Sequence, residues 1–377
     1  MNSTSRTRVA HIIHSLGAGG AEAVLTELAE PARAAGIDVV VVGLSDAEDD
    51  RAAVALQEAG VSVYQLHAGR DDPRSVAAVR RILVREGAQV VHTHLKHADI
   101  VGGLAARWAG LPAVSTLHVI EDTPADLLQR ARVRAAVQAR ERLFRRVVVL
   151  SRAQRDWYLT VSPGASVELI PNGVGAPRPT VGRDGLREGL GVGPGGTLAV
   201  VVSLMRPEKG HADLLDAVRQ LGGTDVTVAL AGDGPLLGDI REQVVADPAL
   251  TERVRVLGYR TDVDELLEAA DIVVHPSSAD ALPTALIRAL GSGRPVVATR
   301  VGGIPDIITE ECGVLVPAGD TQALAEAIAS LTSDPARRTR MGKAARRRYE
   351  AEFSASVWAA RLAALYRDIS GEGRWLA

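Results

Sequence analysis

Two α/β domains, each built on a parallel sheet and facing the other across a cleft, are predicted by three features of the sequence. Short β-branched apolar runs recur between Ala- and Leu-rich amphipathic stretches, the alternation that produces parallel sheets covered by helices on both faces. Those runs lack a polar alternation, as strands buried on both sides do. A glycine- and proline-rich stretch from Gly173 to Gly196 interrupts the pattern and divides the 377 residues into two halves of similar size.

Taken in order, the first strand is expected at residues 9–14. The turn Ser15-Leu16-Gly17-Ala18-Gly19-Gly20-Ala21-Glu22 then opens a helix over 21–35. Backbone amides in such a turn, aided by the helix dipole, can meet an anion. The turn is not GxGxxG, and the chain has no GxxxxGK[ST], which argues against a P-loop ATPase. Further strands are expected at 39–42, 90–92, 113–117 and 147–150. His92, His94 and His97 lie in Val-Val-His-Thr-His-Leu-Lys-His, and His118 follows the run 113–117. Three close histidines invite a zinc reading. Against it, His92 and His94 share one face of a strand and no carboxylate stands at ligand spacing. No metal is expected; the histidines read either as one or two functional imidazoles on a cleft rim or as satisfied structural residues, and His118, at a strand end, is the better functional candidate. In the second half, strands are expected at 198–202, 226–231, 272–275 and 296–298, with a helix over 211–220. Residues 337–369 read as helix with an interruption near Ser354. Trp358, Leu362, Leu365 and Tyr366 follow i, i+4, i+7, i+8 spacing and make one apolar stripe. That stripe predicts that residues 354–377 cross back onto the first domain (1–175), leaving 176–353 as the second.

Composition narrows the function classes. Hydrophobic residues make up 46%, charged residues 24%, and the net charge is -3, which excludes a disordered chain and a global basic field for nucleic acid. Aromatics, at 3%, are too few for base-stacking platforms. The single cysteine, Cys312, excludes an internal disulfide and a multi-cysteine metal site. No apolar run is long enough to span a bilayer, and MNSTSRTR leads straight into a strand, so a cytoplasmic protein is expected, at most attached to the inner face of a membrane. From Gln129 to Arg146 there are seven arginines against one acid, Glu141. This stretch reads either as a solvated helix face or as a peripheral contact to anionic lipid or to an anionic acceptor. Residues 337–348 carry seven basic side chains and no acid, and are expected to coat the outer face of a helix.

The second half holds the more specific signals. Arg206-Pro207-Glu208-Lys209-Gly210-His211 follows a buried strand and precedes a helix, where cations would meet a phosphate. Ala231-Gly232-Asp233-Gly234-Pro235, the run AADIVVHPS ending at Ser277, GRPVVAT ending at Thr299 and VGGIPD ending at Asp306 follow in turn. With GGAE near the start, HTH, TLH and Pro171-Asn172-Gly173-Val174, their order and spacing resemble the family-four retaining glycosyltransferases of the GT-B fold, two Rossmann-like domains, over nearly the whole chain.

The resemblance implies transfer of a hexose-type sugar from a nucleotide-sugar donor, held by the second domain, to an unidentified small-molecule, glycan or lipid-linked acceptor, held by the first. It implies no cofactor, because protein cations and helix N-termini carry the diphosphate charge. It assigns His118 to the donor sugar, Lys209 to the diphosphate and Asp280 to the catalytic set. Gly19, Gly20 and Arg206 fall near the donor phosphates, and Tyr259, Arg260 and Val263 border the base. Leu282, Pro283 and Thr284 open a helix whose amides meet the distal phosphate, and Glu22, His94 and His97 fall on the acceptor side.

The chain also departs from the pattern. The family's two glutamates eight positions apart are here Asp280 and Arg288, and an arginine often found five residues before the lysine is Leu204. The aspartate shortens the reach by about 1.5 Å, and an arginine has no acceptor for ribose hydroxyls. Eight residues span about 12 Å of helix, and Arg288 is expected to point into the donor cleft as a replacement cation. Three alternatives stay open: an enzyme that holds an ordinary donor weakly or a donor with unusual ribose contacts, a catalytically degenerate nucleotide-sugar-binding subunit, and an epimerase of the same fold, which would need carboxylates around the sugar.

Overall fold

The computed structural model describes residues 6–17, 20–47, 49–69, 72–118 and 127–371. The chain packs into two compact units, Met1–Val174 with Ala355–Ala377, and Gly175–Ser354. Where it leaves and re-enters the first unit, the Ala355 amide donates to the Val174 carbonyl at 2.9 Å.

The first unit carries β1 (Thr7–Ile13), β2 (Ile37–Gly43), β3 (Ser62–Gln65), β4 (Val90–His94), β5 (Ala113–Thr116), β6 (Arg146–Val149) and β7 (Val167–Leu169). They form one parallel sheet in the order β3-β2-β1-β4-β5-β6-β7. Helices Arg74–Glu86 and Lys96–Ala109 cover one face, burying Val79, Leu83, Ala98 and Ala105. Helices Gly20–Ala34 and Ala355–Gly371 cover the other. On the latter helix Trp358, Leu362, Leu365 and Tyr366 are buried against Val9, Ile13 and Leu25. Burial on this scale stabilises by about 1.5–3 kcal/mol per large side chain, so the C-terminal helix is part of the first unit's core.

The second unit carries β8 (Thr197–Val202), β9 (Val226–Ala231), β10 (Val254–Gly258), β11 (Ile272–His275), β12 (Val296–Thr299) and β13 (Gly313–Val316), parallel in the order β10-β9-β8-β11-β12-β13. Both sheets have the doubly wound order in which the winding reverses between the first and fourth strands, and ligands bind beyond the strand ends at that point. Here the switch points are β1/β4 and β8/β11.

Three expectations need correction. The units divide within the 173–196 stretch, at Val174/Gly175, but only its start is a connection: Arg183–Gly189 is helical, the Arg178 amide donates to Asp264 at 2.9 Å, and Pro177 packs against Gly291. The basic stretch 337–348 does more than coat a surface. Arg338 donates to the Leu331 and Thr332 carbonyls (2.6 and 2.7 Å), Arg348 to those of Asp306 and Ile307 (both 2.8 Å), and Arg346 to that of Gly291. These guanidiniums satisfy carbonyls at helix C-termini, where the dipole favours a cation. From Gln129 to Arg146, only the part up to Leu143 is helix. Arg140 is buried and grips Asp99 with two bonds (2.8 and 3.1 Å), while Thr93 and Ser115 donate to the same carboxylate (2.5 and 2.7 Å). Arg146 lies in β6 and pairs with Asp368 at 3.1 Å. Neither arginine serves a partner, because each already neutralises a carboxylate of the fold.

Candidate active site

The first switch point is lined by imidazoles. Parallel register sets His11 of β1 beside His92 of β4, and His94 beside Thr116 of β5. Residues two apart in a strand share a face, so His11, His92 and His94 stack on one side of the sheet, their ring centroids 4.5–5.2 Å apart. His11 Nδ1 lies 2.9 Å from His94 Nε2, and His94 Nδ1 lies 2.8 Å from His118 Nε2. His92 meets the Tyr366 hydroxyl through Nδ1 and Thr116 Oγ1 through Nε2, both at 2.6 Å. Burial pushes His11 down to about 3 and His118 to about 4, and lowers His92 and His94 well below the ordinary value, their imidazole neighbours adding to the effect. The column is neutral at pH 7.

The sequence reading missed His11 and Tyr366. A nitrogen from each of His11, His92 and His94 lies within 4.8 Å of the others, a grouping that suits a metal. Both nitrogens of His92 and of His94 already have hydrogen-bond partners, however, so an ion would have to displace existing bonds. His11 Nε2 is buried without a partner.

Between His94 and the helix Lys96–Ala109, Leu95 holds φ +74° and ψ 155°, a region nearly reserved for glycine. That turn separates two candidates: His94 joins the column, whereas His97 sits 2.9 Å from His14, Nδ1 to Nδ1. Glu22, in the first turn of its helix, is buried, and burial raises its carboxyl. Gly20 begins that helix with open space where a side chain would stand, and Gly19 lies outside the described residues.

The second switch point holds a charged cluster. Lys209, in the short turn after β8, donates to Asp280 Oδ2 at 2.6 Å, and His275, the last residue of β11, lies 3.0 Å from the same oxygen. Burial raises the Asp280 carboxyl, but the hydrogen bond and charge of His275 and the Lys209 ammonium outweigh it, and the net shift is downward. His211 is pushed down to about 4 by burial first, then by His275 and Lys209. Gly210 permits this packing: at φ +70°, a Cβ there would stand 2.0 Å from the Pro276 carbonyl oxygen. His275, the terminal residue of a quoted motif strand, was not singled out from sequence; a polar residue ending a buried apolar strand was its signal.

The remaining candidates are placed as follows. Asp280 lies before the helix Thr284–Gly291, so the spacing to Arg288 is not two helical turns. Leu282 and Pro283 are buried ahead of that helix, whose start at Thr284 has no side-chain cap. Arg288 pairs with Asp264 at 3.1 Å. Arg260 is bidentate to Asp262, Tyr259 is exposed, and Val263 begins the helix Val263–Ala269. Arg206 is exposed at the edge of the Lys209 turn.

Two doubly wound domains with these strand orders are the domain architecture of the GT-B fold. Residues 18–176 match Glycosyltransferase Family 4, and residues 196–334 match Glycosyl transferases group 1. The chain is 30% identical over 315 residues to an alpha-maltose-1-phosphate synthase of Mycolicibacterium smegmatis, covering 76% of this chain and 80% of that one. It is 26% identical over 278 residues to an Escherichia coli UDP-Gal:alpha-D-GlcNAc-diphosphoundecaprenol alpha-1,3-galactosyltransferase, covering 70% and 71%. Among solved structures, Anabaena HepE in complex with UDP superposes with a TM-score of 0.83 at 23% identity, covering 96% of this chain and all of that one. The chain belongs to glycosyltransferase family 4.

Proposed function

We propose that this glycosyltransferase takes a hexose-type sugar from a nucleotide-sugar donor and passes it, with retention and without a metal ion, to a small-molecule, glycan or lipid-linked acceptor in the cytoplasm. The observation that carries the reading is Lys209 at the second switch point, 2.6 Å from an ionised, part-buried Asp280. As the bond from the anomeric carbon to phosphate oxygen breaks, negative charge grows on the leaving diphosphate. A positioned ammonium gains most at that moment, and Lys209 supplies the positive charge a metal would otherwise bring. Amides at Thr284 and the turn at Gly19 and Gly20 are assigned to the same phosphates, Arg206 beside them, and Tyr259, Arg260 and Val263 to the base. A uridine donor is supported by the UDP-Gal of the Escherichia coli relative and by the UDP bound in HepE.

His118 is assigned to the donor sugar as a hydrogen-bond donor, not a nucleophile. A neutral imidazole has one N–H and one lone pair, so the chain His11–His94–His118 runs in one direction. Stranding a lone pair at buried His11 Nε2 costs less than stranding an N–H there. His11 Nδ1 then donates to His94 Nε2, His94 Nδ1 donates to His118 Nε2, and His118 keeps its hydrogen on Nδ1. The acceptor hydroxyl attacks from the face the diphosphate leaves, its proton passing to the departing phosphate oxygen, and no sugar becomes bound to protein. Glu22, His94 and His97 stay assigned to the acceptor side.

A binding subunit without turnover is the second reading, favoured by Arg288, which offers no acceptor to a ribose. A thermal-shift panel of UDP-, GDP-, ADP- and dTDP-sugars identifies the base, and release of nucleoside diphosphate with and without acceptor separates transferase from binder. Lys209→Ala is expected to cost about a hundredfold in rate, near 3 kcal/mol; near-normal turnover in that variant removes the phosphate site.

A further inference from the structure

The outer face of helices Arg74–Glu86 and Lys96–Ala109, on the first unit, has a composition that the transfer reaction does not use. Ile100, Leu104 and Trp108 follow i, i+4, i+8 spacing and are 59%, 42% and 58% exposed, with Val84 of the neighbouring helix at 63%. They form an apolar line about 12 Å long. Single exposed apolar residues are ordinary, but an aligned set is not. Arg80 spreads over the Trp108 ring, 4.7 Å from its centroid, and Arg81, Arg85, Lys96 and Arg107 are exposed around the line. The two helices contain two acids, and both are engaged elsewhere. Asp99 is buried under Arg140, and Glu86 accepts from the Tyr64 hydroxyl beside Arg8. The face is therefore apolar along its centre and positive at its rim. The adjoining helix Leu127–Leu143, reached through Gly103 against Leu143 and Phe144, adds exposed Arg132, Arg134 and Arg142.

We infer that this face docks on an anionic lipid surface. A helical face with an exposed apolar line that includes a tryptophan, and with a basic rim, suits the boundary between headgroups and acyl chains, and clustered arginines are drawn to acidic headgroups. A second copy is a poor occupant, because a two-fold contact sets the patch against itself and places arginines on arginines. The docking surface is thus centred on Ile100, Leu104 and Trp108, with Arg132, Arg134 and Arg142 at its margin.

The test uses the full chain and vesicles of phosphatidylcholine with about 30% phosphatidylglycerol, against phosphatidylcholine alone. Co-sedimentation is expected to favour the acidic vesicles about tenfold and to weaken in about 0.5 M salt. Ile100→Ser/Leu104→Ser/Trp108→Ser is expected to lose about tenfold in binding with an unchanged circular dichroism spectrum. Arg81→Glu/Arg107→Glu, which leaves the apolar line intact, is expected to lose as much. Brominated lipids should quench tryptophan fluorescence in the natural chain and much less in Trp108→Phe. No preference for acidic vesicles, or binding that survives the serine substitutions, overturns the inference. So does a concentration-dependent dimer that those substitutions abolish, or binding lost only when Arg132, Arg134 and Arg142 are reversed.

Discussion

Lowering the pH from 7.5 to 5 should destabilise the first unit well before ordinary carboxylates titrate. His11 sits at about 3 and His118 at about 4 in the folded chain, both driven down by burial from an ordinary value of 6.5. Between those values and 6.5 the unfolded chain binds more protons than the folded one, so stability is complete above about pH 6.5 and falls as the pH drops toward each folded value. Each such imidazole contributes about 1.4 kcal/mol per pH unit, or about 2 kcal/mol at pH 5, and the two together about 4 kcal/mol. His92 and His94 shift in the same direction and add to the loss, while Glu22, whose carboxyl is raised, opposes it. A loss of this size is a large part of the 5–15 kcal/mol that typically holds a domain together. The assay is urea unfolding followed by tryptophan fluorescence at several pH values. The described tryptophans, Trp108, Trp157 and Trp358, belong to the first unit, so their signal reports that unit. His11→Asn, which can keep a donor toward His94, should reduce the pH slope by about one proton, near 1.4 kcal/mol per unit. Equal stability at pH 7.5 and 5, or an unchanged slope in His11→Asn, refutes the neutral column.

Arg140→Met should destabilise the first unit by about 3–5 kcal/mol, because Asp99 stays buried without its cation, and adding Asp99→Leu should recover most of that loss; urea unfolding in which the two effects simply add argues against the coupling. Gly210→Ala should lower the calorimetric melting of the second unit and impair activity, since its Cβ meets the Pro276 carbonyl, whereas Gly185→Ala, with open space around it, should be neutral or slightly stabilising. Arg288→Glu sets a second carboxylate against Asp264 and should weaken UDP binding by calorimetry, with Leu204→Arg restoring part of it. Tighter binding in Arg288→Glu alone would show that Arg288 does not act as a replacement phosphate ligand.

The central strands were legible from the sequence because both their faces are buried, which leaves near-continuous apolar runs at β1, β2, β4, β8, β9 and β11. The apolar runs that stand out along the chain leave out β3, β7, β10 and β13, and each of these is an edge strand whose partial exposure admits polar residues. Lys209 and Asp280 could be picked out because each lies in a local motif at a strand end, and the stripe on the last helix because its periodicity is local too. What the sequence left undecided depends on register between segments far apart in the chain. His11 meets His94 across 83 positions, Tyr366 meets His92 across 274, and Arg140 meets Asp99 across 41. Arg288 has Asp264 as its partner, 24 positions away on a neighbouring helix, and the same distance in sequence separates His94 from His118. Periodicity along a chain records which side of an element is apolar. It carries no information about which residue of another element stands opposite, and in these sites the opposite residue sets the charge, the tautomer and the pKa.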